Sequence, residues 1–390
     1  MTAVRQRILF LNHVSRVSGA ERSLLDLLRR LDRNRFEPIV VAPAGGELAD
    51  LLERAAVPHY ALPLRRLCKT LNPLRLTSDF LNVASVVPRL ARLIRRERIA
   101  LVHANSSTAQ VYGGPAARWC GVPCVWHNRD LVNLGPLGRW LGRTASCTIA
   151  ISECVRRHTE EAVGDSSPVK TLYNGIELEE WVCRGERSRI RAELGIPPGA
   201  PVFGMIGQLV PWKRHGVFIE AAALVAATLP EARFPIAGDD RFGDSRASRA
   251  ELEARAAGFG LGGKVLFAGY RPDIARFLEG LDVLIHPATR EPLGRAILEA
   301  MAMGKPVVAV NACGPGEIIR DGVDGLLTAS GAPAELAAAA LRLMREPGLA
   351  DRIGDAARRR VEEQFNIRRT IRDMEAVYDG LAPRKEPPCA

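Results

Sequence analysis

Short apolar runs alternate with amphipathic stretches along almost the whole chain. The run RILFLNHV (7–14) is rich in strand formers, the loop SRVSGA follows it, and ERSLLDLLRRLD (21–32) places its leucines on one helical stripe. This order predicts a strand, a glycine-containing turn and a helix. Similar apolar runs predict further strands at FEPIVVAP (36–43), ALVHAN (100–105), PCVWHN (123–128) and CTIAIS (147–152). Because these runs are continuously apolar, we expect parallel sheets that are covered on both faces by helices.

A break in the pattern follows TLYNGIELEEW (171–181). The next stretch, VCRGERSRIRAELGIPPGAP, is charged and then proline-rich, after which the alternation restarts. The strands predicted beyond the break are PVFGMIGQL (201–209), FPIAGD (234–239), KVLFAGY (264–270), DVLIHPA (282–288) and KPVVAV (305–310). We therefore expect two facing, doubly wound (Rossmann-like) α/β domains, residues 1–180 and 181–365. Residues 366–390 are expected to form a C-terminal helix and a frayed tail.

Length and composition favour a globular protein of the cytoplasm. The chain has 390 residues and 47% apolar residues, which suits two domains of ordinary size. No run of eighteen apolar residues is present, and the N-terminus has no separate apolar stretch before a cleavage site. No two of the eight cysteines have the two-residue spacing of metal or redox motifs. These features predict neither export nor a bound metal.

Positive charge is concentrated between Leu64 and Arg98. The net charge of the chain is +10, and this stretch alone carries nine bases against two acids. The bases are Arg65, Arg66, Lys69, Arg75, Arg89, Arg92, Arg95, Arg96 and Arg98. Leu90 and Leu93 lie opposite the arginines at helical spacing, a pattern typical both of a helix packed on a sheet and of a helix on an anionic membrane. Aromatic residues make up only 5% of the chain, so nucleic-acid binding is not expected.

The segment GFGLGG (258–263) matches the dinucleotide-binding fingerprint letter for letter. It follows a helical stretch, ELEARAA, and precedes a predicted strand, whereas the fingerprint binds a pyrophosphate only in strand-to-helix order. We therefore expect a turn here and no NAD site.

Two glutamates, Glu291 and Glu299, flank the segment that follows the predicted strand DVLIHPA. Pro292 suits the first turn of a helix, so we expect the helix to begin there. Glu291 would then lie at the carboxyl end of a strand, which is the edge where open parallel sheets bind ligands. For Glu299, spacing leaves two alternatives: a solvated pair with Arg295, or a grip on one part of an elongated ligand.

The segment HPATREPLGRAILEAMAMGKPVVAVNACGPGEIIRDGVDGLL (286–327) closely resembles the donor-site signature of family 4 glycosyltransferases. Further motifs match in the order of that family: SGAERSLLDLLRRL, HNRD, IAISECV, YNGIE, GQLVPWKRHGVFIEA and VEEQFNIRRTIRDMEAVYDGL. The resemblance covers nearly the whole chain. It implies the GT-B architecture, with the last helix crossing back onto the first domain. It also implies retaining transfer of a sugar, of hexosyltransferase type, from a nucleoside-diphosphate sugar to an acceptor held mainly by the first domain.

The same resemblance implies roles for individual residues. Glu299 would accept hydrogen bonds from the ribose hydroxyls. Glu291 would face the transferred sugar, and Lys213 would neutralise the diphosphate that leaves. The resemblance further implies that backbone amides meet phosphate or sugar oxygens at Gly19, Ala20, Leu293 and Gly294, and that the base is held near Tyr270 and Arg271.

Gln208 departs from the family pattern, whereas His127 matches it. The family often carries an arginine five residues before the lysine, where this chain has Gln208, so Lys213 is expected to carry more of the phosphate charge with help from Arg214. His127, in HNRD, matches the family's histidine and is expected to contact the donor sugar. Glu291, His127 and Lys213 are thus the implied catalytic residues, and the other histidines have weaker claims.

Other functions remain open for the same architecture, namely a nucleotide-sugar epimerase, a phosphorylase or a non-catalytic sugar-nucleotide binding protein. The presence of both Glu299 and Lys213 favours the transferase. No carboxylate pair with D-x-D spacing is evident, so we expect no metal and no cofactor besides the donor. The expected acceptor is a glycan precursor, a lipid-linked molecule or a small molecule. The basic stretch predicts a peripheral location on the inner face of the cell membrane.

Overall fold

The computed structural model describes residues 5–67, 70, 72–240 and 249–382. The chain divides into two compact units. Unit 1 comprises Met1–Gly175 and Ile367–Ala390, and unit 2 comprises Ile176–Asn366. Lys69 of the basic stretch and the predicted tail at 384–390 lie outside the described residues. Within the described residues, no helix combines the length and the hydropathy needed to cross a bilayer.

Unit 1 contains a sheet of seven parallel strands. The strands are β1 (Gln6–Leu11), β2 (Phe36–Ala42), β3 (His59–Ala61), β4 (Leu101–Ala104), β5 (Cys124–Asn128), β6 (Cys147–Ala150) and β7 (Val169–Thr171). Their order is β3-β2-β1-β4-β5-β6-β7. The helices between them are α1 (Gly19–Arg30), α2 (Glu47–Arg54), α3 (Pro73–Arg96), α4 (Ser107–Cys120), α5 (Pro136–Thr144) and α6 (Glu153–Val163). Leu9 of β1 lies opposite Ile39 and Val102 of its two neighbours.

Unit 2 repeats the arrangement with six strands. They are β8 (Phe203–Ile206), β9 (Phe234–Ala237), β10 (Val265–Gly269), β11 (Val283–His286), β12 (Val307–Val310) and β13 (Leu326–Thr328). The helices are α7 (Arg187–Glu193), α8 (His215–Thr228), α9 (Arg249–Gly258), α10 (Ile274–Gly280), α11 (Arg295–Ala302), α12 (Cys313–Ile318), α13 (Pro333–Arg345) and α14 (Leu349–Gln364). The strand order is β10-β9-β8-β11-β12-β13. It reverses direction between β8 and β11, which is where open parallel sheets bind ligands.

Both sheets confirm the parallel, doubly wound α/β architecture predicted from the apolar runs. Every residue of β8, β11 and β12 is buried, because helices cover both faces of the sheet. The segment GFGLGG is confirmed as a turn, since it joins the end of α9 to the start of β10. The short edge strands β3 and β7 carry too few apolar residues to stand out in the sequence.

Helix α3 has two unlike halves. In its second half Leu90, Leu93 and Ile94 are buried in the core beneath the sheet, while the arginines of the same half are exposed. The first half projects into solvent, and there Leu74 is 81% exposed and Phe80 71% exposed. The second half is thus an ordinary packed helix, whereas the first half presents apolar side chains that the protein does not cover.

The last described helix, α15 (Ile367–Leu381), belongs to unit 1. Ile371, Met374 and Tyr378 are part of the same buried cluster as β1 and α1. Arg35, which directly precedes β2, is paired with Glu375 of α15 at 2.7 Å. The core of unit 1 is therefore assembled from two segments of chain separated by the whole of unit 2.

Candidate functional site

The loops that follow β8 and β11 bring three side chains of unit 2 together. Lys213 ends a short 3-10 turn after β8, and its Nζ donates to Oε2 of Glu291 in the loop after β11. His286, the last residue of β11, places its Nε2 3.1 Å from the same carboxylate oxygen. The charged carboxylate is 8% exposed. These two strands are neighbours at the reversal of strand order, so the cluster lies where ligands bind in such sheets.

The neighbours of Glu291 keep its carboxylate ionised. Burial alone would raise the pKa of Glu291, but the Lys213 charge and the hydrogen bond from His286 outweigh it and lower that pKa to about 2. Burial lowers the pKa of His286 against the opposing effect of Glu291. The imidazole is therefore neutral at physiological pH and donates its Nε2 proton to an ionised carboxylate. The ammonium group of Lys213 is thus held at a largely buried position by its ion pair with Glu291.

The prediction that the helix begins at Pro292 is wrong. Helix α11 begins at Arg295, and Gly294 before it has φ of 106°, a conformation outside the helical path. Glu291 lies in the loop between β11 and α11, and three more residues separate it from the start of the helix. The amide of Gly314, in α12, donates to the carbonyl of Glu291 at 3.1 Å and holds this loop.

Gly314 lies so close to the loop that a side chain would not fit. A Cβ atom there would meet the Leu293 backbone at 2.3 Å. We expect Gly314→Ala to lower stability by about 1–3 kcal/mol, the usual cost of overpacking, and to weaken nucleotide binding by displacing Glu291. Thermal unfolding and nucleotide titration measure both effects. Gly262→Ala is the control, because a Cβ there meets nothing within 4 Å; equal behaviour of the two variants would contradict the prediction.

Glu299 is 5% exposed, although it lies on the face of α11 where solvated charge was expected. The pair with Arg295 is confirmed, with Arg295 Nε 2.8 Å from Oε1 of Glu299. The pair is not solvated, however, because the second half of α11 is buried on all sides. Helix α11 follows β11, next to the reversal of strand order. A buried carboxylate there is well placed to accept hydrogen bonds from a ligand.

The other predicted side chains of unit 2 lie in the loops that follow β8 and β10. Gln208 lies two residues after the end of β8. Arg214 donates from Nη1 to the carbonyl of Pro287 at 3.2 Å, which ties the loops after β8 and β11 together. Tyr270 and Arg271 follow β10, the outermost strand. Arg271 is paired with Asp273 at 2.6 Å and with Glu193 at 2.5 Å, so its guanidinium is held by two carboxylates.

Unit 1 carries the other predicted residues. Gly19 and Ala20 form the first turn of α1, where the Ser18 amide and hydroxyl both donate to the carboxylate of Glu21. A Cβ on Gly19 would meet nothing within 4 Å. His127 is in β5 and is 1% exposed. Its contacts with Arg129 and His103 were not anticipated, although Arg129 is part of the motif HNRD.

Two family models together account for most of the chain. The model of glycosyl transferases group 1 matches residues 186–360, and that of glycosyltransferase family 4 matches residues 17–180. These spans fall in unit 2 and mostly in unit 1, respectively. The matches therefore divide at the break that separates the two repeats of the α/β pattern.

Known proteins agree with the family models. Over 330 residues the chain is 27% identical to the UDP-Gal:alpha-D-GlcNAc-diphosphoundecaprenol alpha-1,3-galactosyltransferase of Escherichia coli, covering 80% of this chain and 81% of that protein. It is 28% identical over 285 residues to the D-inositol 3-phosphate glycosyltransferase of Streptomyces bingchenggensis, covering 68% and 58% of the two chains.

Solved structures give the same result for the fold. The structure of Anabaena Alr3699/HepE in complex with UDP and glucose matches with a TM-score of 0.82 and 28% sequence identity. The match covers 97% of this chain and 100% of that chain. The sucrose-phosphate synthase of Thermosynechococcus elongatus shares the fold, with a TM-score of 0.81 at 19% sequence identity. This match covers 97% of this chain and 99% of that chain. The chain therefore belongs to the group 1 glycosyltransferases of the GT-B fold, and it is an enzyme that uses a nucleotide-sugar donor.

Proposed function

We propose that this enzyme transfers a hexose from a UDP-sugar to a lipid-linked acceptor with retention of the anomeric configuration. The observation that carries the donor half of this proposal is the buried cluster of Lys213, Glu291 and His286 at the strand-order reversal of unit 2. It supplies a fixed cation for a diphosphate and a fixed carboxylate for a sugar hydroxyl. The Escherichia coli relative is named for a UDP-Gal donor, and Anabaena Alr3699/HepE was solved with UDP and with UDP-glucose, which supports uridine as the base.

In the proposed reaction the bond between the anomeric carbon and the diphosphate oxygen breaks, and the electron pair stays on the diphosphate. Lys213 offsets the negative charge that develops there, which is where a preorganised cation lowers the barrier most. The acceptor hydroxyl attacks on the same face, and its proton passes to a leaving phosphate oxygen. The cation is part of the protein, so we propose that no metal is required.

The proposed binding roles follow from the chemistry of each side chain. The Glu291 carboxylate is held ionised by its neighbours and accepts from a hydroxyl of the sugar ring. Glu299 accepts from the ribose hydroxyls, and the amides of Leu293 and Gly294 meet phosphate or sugar oxygens at the start of α11. For Gly19, Ala20 and His127 of unit 1, donor contact stays a prediction from the family resemblance.

One experiment separates this function from its alternatives. Thermal unfolding with a panel of nucleoside diphosphates and their sugars should show the largest stabilisation with a UDP-sugar. NMR of the product formed with a polyprenyl-diphosphate sugar then gives the anomeric configuration. Isomerised donor in the absence of acceptor would indicate an epimerase. Stabilisation without turnover of any donor would indicate a binding protein, and an inverted product would exclude retention.

The acceptor half of the proposal rests on unit 1. The Escherichia coli relative is named for an alpha-D-GlcNAc-diphosphoundecaprenol acceptor. In this chain the projecting half of α3, which lies within the basic stretch, exposes Leu74, Leu76, Phe80 and Leu81. Apolar side chains flanked by cations are suited to an anionic bilayer. We therefore place the enzyme on the cytoplasmic face of the membrane, where a lipid-linked acceptor is within reach.

We expect the protein to bind anionic vesicles at low salt and to dissociate from them as the salt concentration rises. Each base near such a surface contributes about 1 kcal/mol. Neutralising Arg89, Arg92, Arg95 and Arg96 together should therefore abolish binding in a vesicle sedimentation assay and leave UDP affinity unchanged. Leu74→Ser with Phe80→Ser should weaken binding at all salt concentrations, because the apolar contribution is not screened.

The matched control removes equal charge from exposed arginines of unit 2, namely Arg189, Arg249, Arg342 and Arg358. This variant should still bind vesicles. If the wild-type protein ignored anionic vesicles even at low salt, a soluble acceptor would replace the lipid-linked one.

A further inference from the structure

A buried chain of hydrogen bonds in unit 1 ends at His127. Tyr378 Oη of α15 lies 2.8 Å from Nδ1 of His103. His103 Nε2 lies 3.2 Å from Nδ1 of His127, and Arg129 Nη2 lies 3.1 Å from the same atom. We call these four residues the histidine network. Both histidines and the tyrosine are fully or almost fully buried.

A single arrangement of protons satisfies these contacts. Arginine is always protonated, so Arg129 donates and Nδ1 of His127 must accept. His103 Nε2 faces that same acceptor and must also donate, which leaves Nδ1 of His103 without a proton. That atom then accepts from the Tyr378 hydroxyl. Each neutral ring carries one proton, and on His127 it must lie on Nε2.

The surroundings keep all three groups in this state. Burial, with a smaller contribution from Arg129, lowers the pKa of His103 to about 3 and that of His127 well below its ordinary value. Burial raises the pKa of Tyr378 well above its ordinary value, and the nearby Glu375 adds to this effect while Arg129 opposes it. The rings are thus neutral and the phenol protonated over the physiological range.

The end of the histidine network is a ring that borders a cavity. Nε2 of His127 is buried and has no hydrogen-bond partner among the described residues. The ring borders a small cavity of unit 1 that Arg129, Asn174 and Thr370 also line. A buried donor without a partner costs about 1–3 kcal/mol. An oxygen that entered the cavity would remove this cost.

We propose that Tyr378, His103 and Arg129 are positioning residues that hold His127 as the neutral tautomer protonated on Nε2, so that it donates a hydrogen bond to a substrate oxygen and does not act as a base. The nature of that substrate rests on the proposed function. A consequence is that the proton of the acceptor hydroxyl does not pass to His127, in keeping with its passage to the leaving phosphate.

The tautomer is measured without any substrate. In the full chain labelled with ¹⁵N-histidine, long-range ¹H–¹⁵N NMR distinguishes a protonated from an unprotonated ring nitrogen, and His127→Gln assigns the signal. We expect Nδ1 of His127 to be unprotonated and Nε2 to be protonated across about pH 5 to 8. A proton on Nδ1, or a doubly protonated ring at neutral pH, would overturn the proposal. The expected tautomer in a protein that turns over no UDP-sugar would overturn only the proposed function.

Tyr378→Phe tests the far end of the histidine network. Loss of the hydroxyl leaves Nδ1 of His103 without its donor, so the His103 signals should show a mixture of tautomers. The kcat, measured as release of UDP, should fall about two- to tenfold, which is the range for the loss of one hydrogen bond. The KM for the donor should not change. The control is Tyr112→Phe, whose equally buried hydroxyl donates to Asn82 at 2.7 Å in another part of unit 1. Equal loss of kcat per folded molecule in both variants would reduce Tyr378 to a structural role and refute the proposal.

Discussion

Lys213→Met should slow sugar transfer by about 10² to 10³, equivalent to about 2.7–4 kcal/mol of transition-state stabilisation. The reason is that Lys213 is a preorganised cation at the carboxyl end of β8, held against the buried carboxylate of Glu291. Without it, the charge that develops on the leaving diphosphate loses this fixed counterpart, and the guanidinium of neighbouring Arg214 already donates to the carbonyl of Pro287. Steady-state release of UDP at saturating donor measures the effect.

The same substitution also removes the partner of a buried carboxylate, and that second effect must be separated from the first. Breaking a buried ion pair costs about 3–5 kcal/mol of stability. Lys213→Met combined with Glu291→Gln should recover much of the lost stability but none of the rate. Lys305→Met is the control for a buried lysine, because Lys305 only donates to the carbonyls of Glu279 and Leu281. An unchanged rate in Lys213→Met would assign the phosphate to Arg214 or to the first turn of α1.

Glu299→Ala should weaken UDP binding about 10- to 150-fold and reduce turnover, because a hydrogen bond to a charged group contributes about 1.5–3 kcal/mol. The ribose would lose a two-oxygen acceptor, while α11 keeps the buried apolar residues that hold it in the unit. Glu299→Gln keeps one acceptor oxygen, so its affinity for UDP should lie between that of the wild-type protein and that of Glu299→Ala. Isothermal titration with UDP gives the affinities directly.

The matched control for Glu299 is Glu346→Ala. Glu346 also pairs with an arginine four residues earlier, Arg342, at 2.6 Å, but this pair is solvent-exposed. Its loss should change neither UDP affinity nor turnover. If Glu299→Ala retained both wild-type affinity and wild-type activity, the assignment of the ribose site to α11 would be wrong.

The main elements of the fold could be predicted because each apolar run is long enough to form a buried strand. The runs at 7–14 and 147–152 became β1 and β6 with ends shifted by only a few residues. The start of α11 was mistaken since proline favours a first helical turn, whereas Gly294 has a φ of 106° and the loop before it packs at Leu293 against Gly314 of α12. Such contacts between distant segments leave no periodic signal in the sequence.

In the candidate site, too, some features could be predicted from sequence motifs and others depend on contacts between distant segments. Lys213, Glu291 and Glu299 were identified because they occur in motifs of fixed spacing. Their burial and the shared role of His286 could not be read from spacing, because they depend on β8 and β11 being neighbours. Tyr378 lies 275 residues from its partner His103. Its role could be found only once α15 was seen to pack in unit 1.

The return of the chain to unit 1 sets an order for its synthesis. Unit 2 is one continuous segment, Ile176–Asn366, and can fold as soon as it leaves the ribosome. Unit 1 cannot close until α15 follows, so the apolar surface that Met374 and Tyr378 later cover is exposed in the meantime. At about 5–20 residues per second, translation of the intervening unit takes roughly 10–40 seconds. During that interval the nascent first unit is a substrate for chaperones, and a ribosome stalled before α15 would leave it open to aggregation.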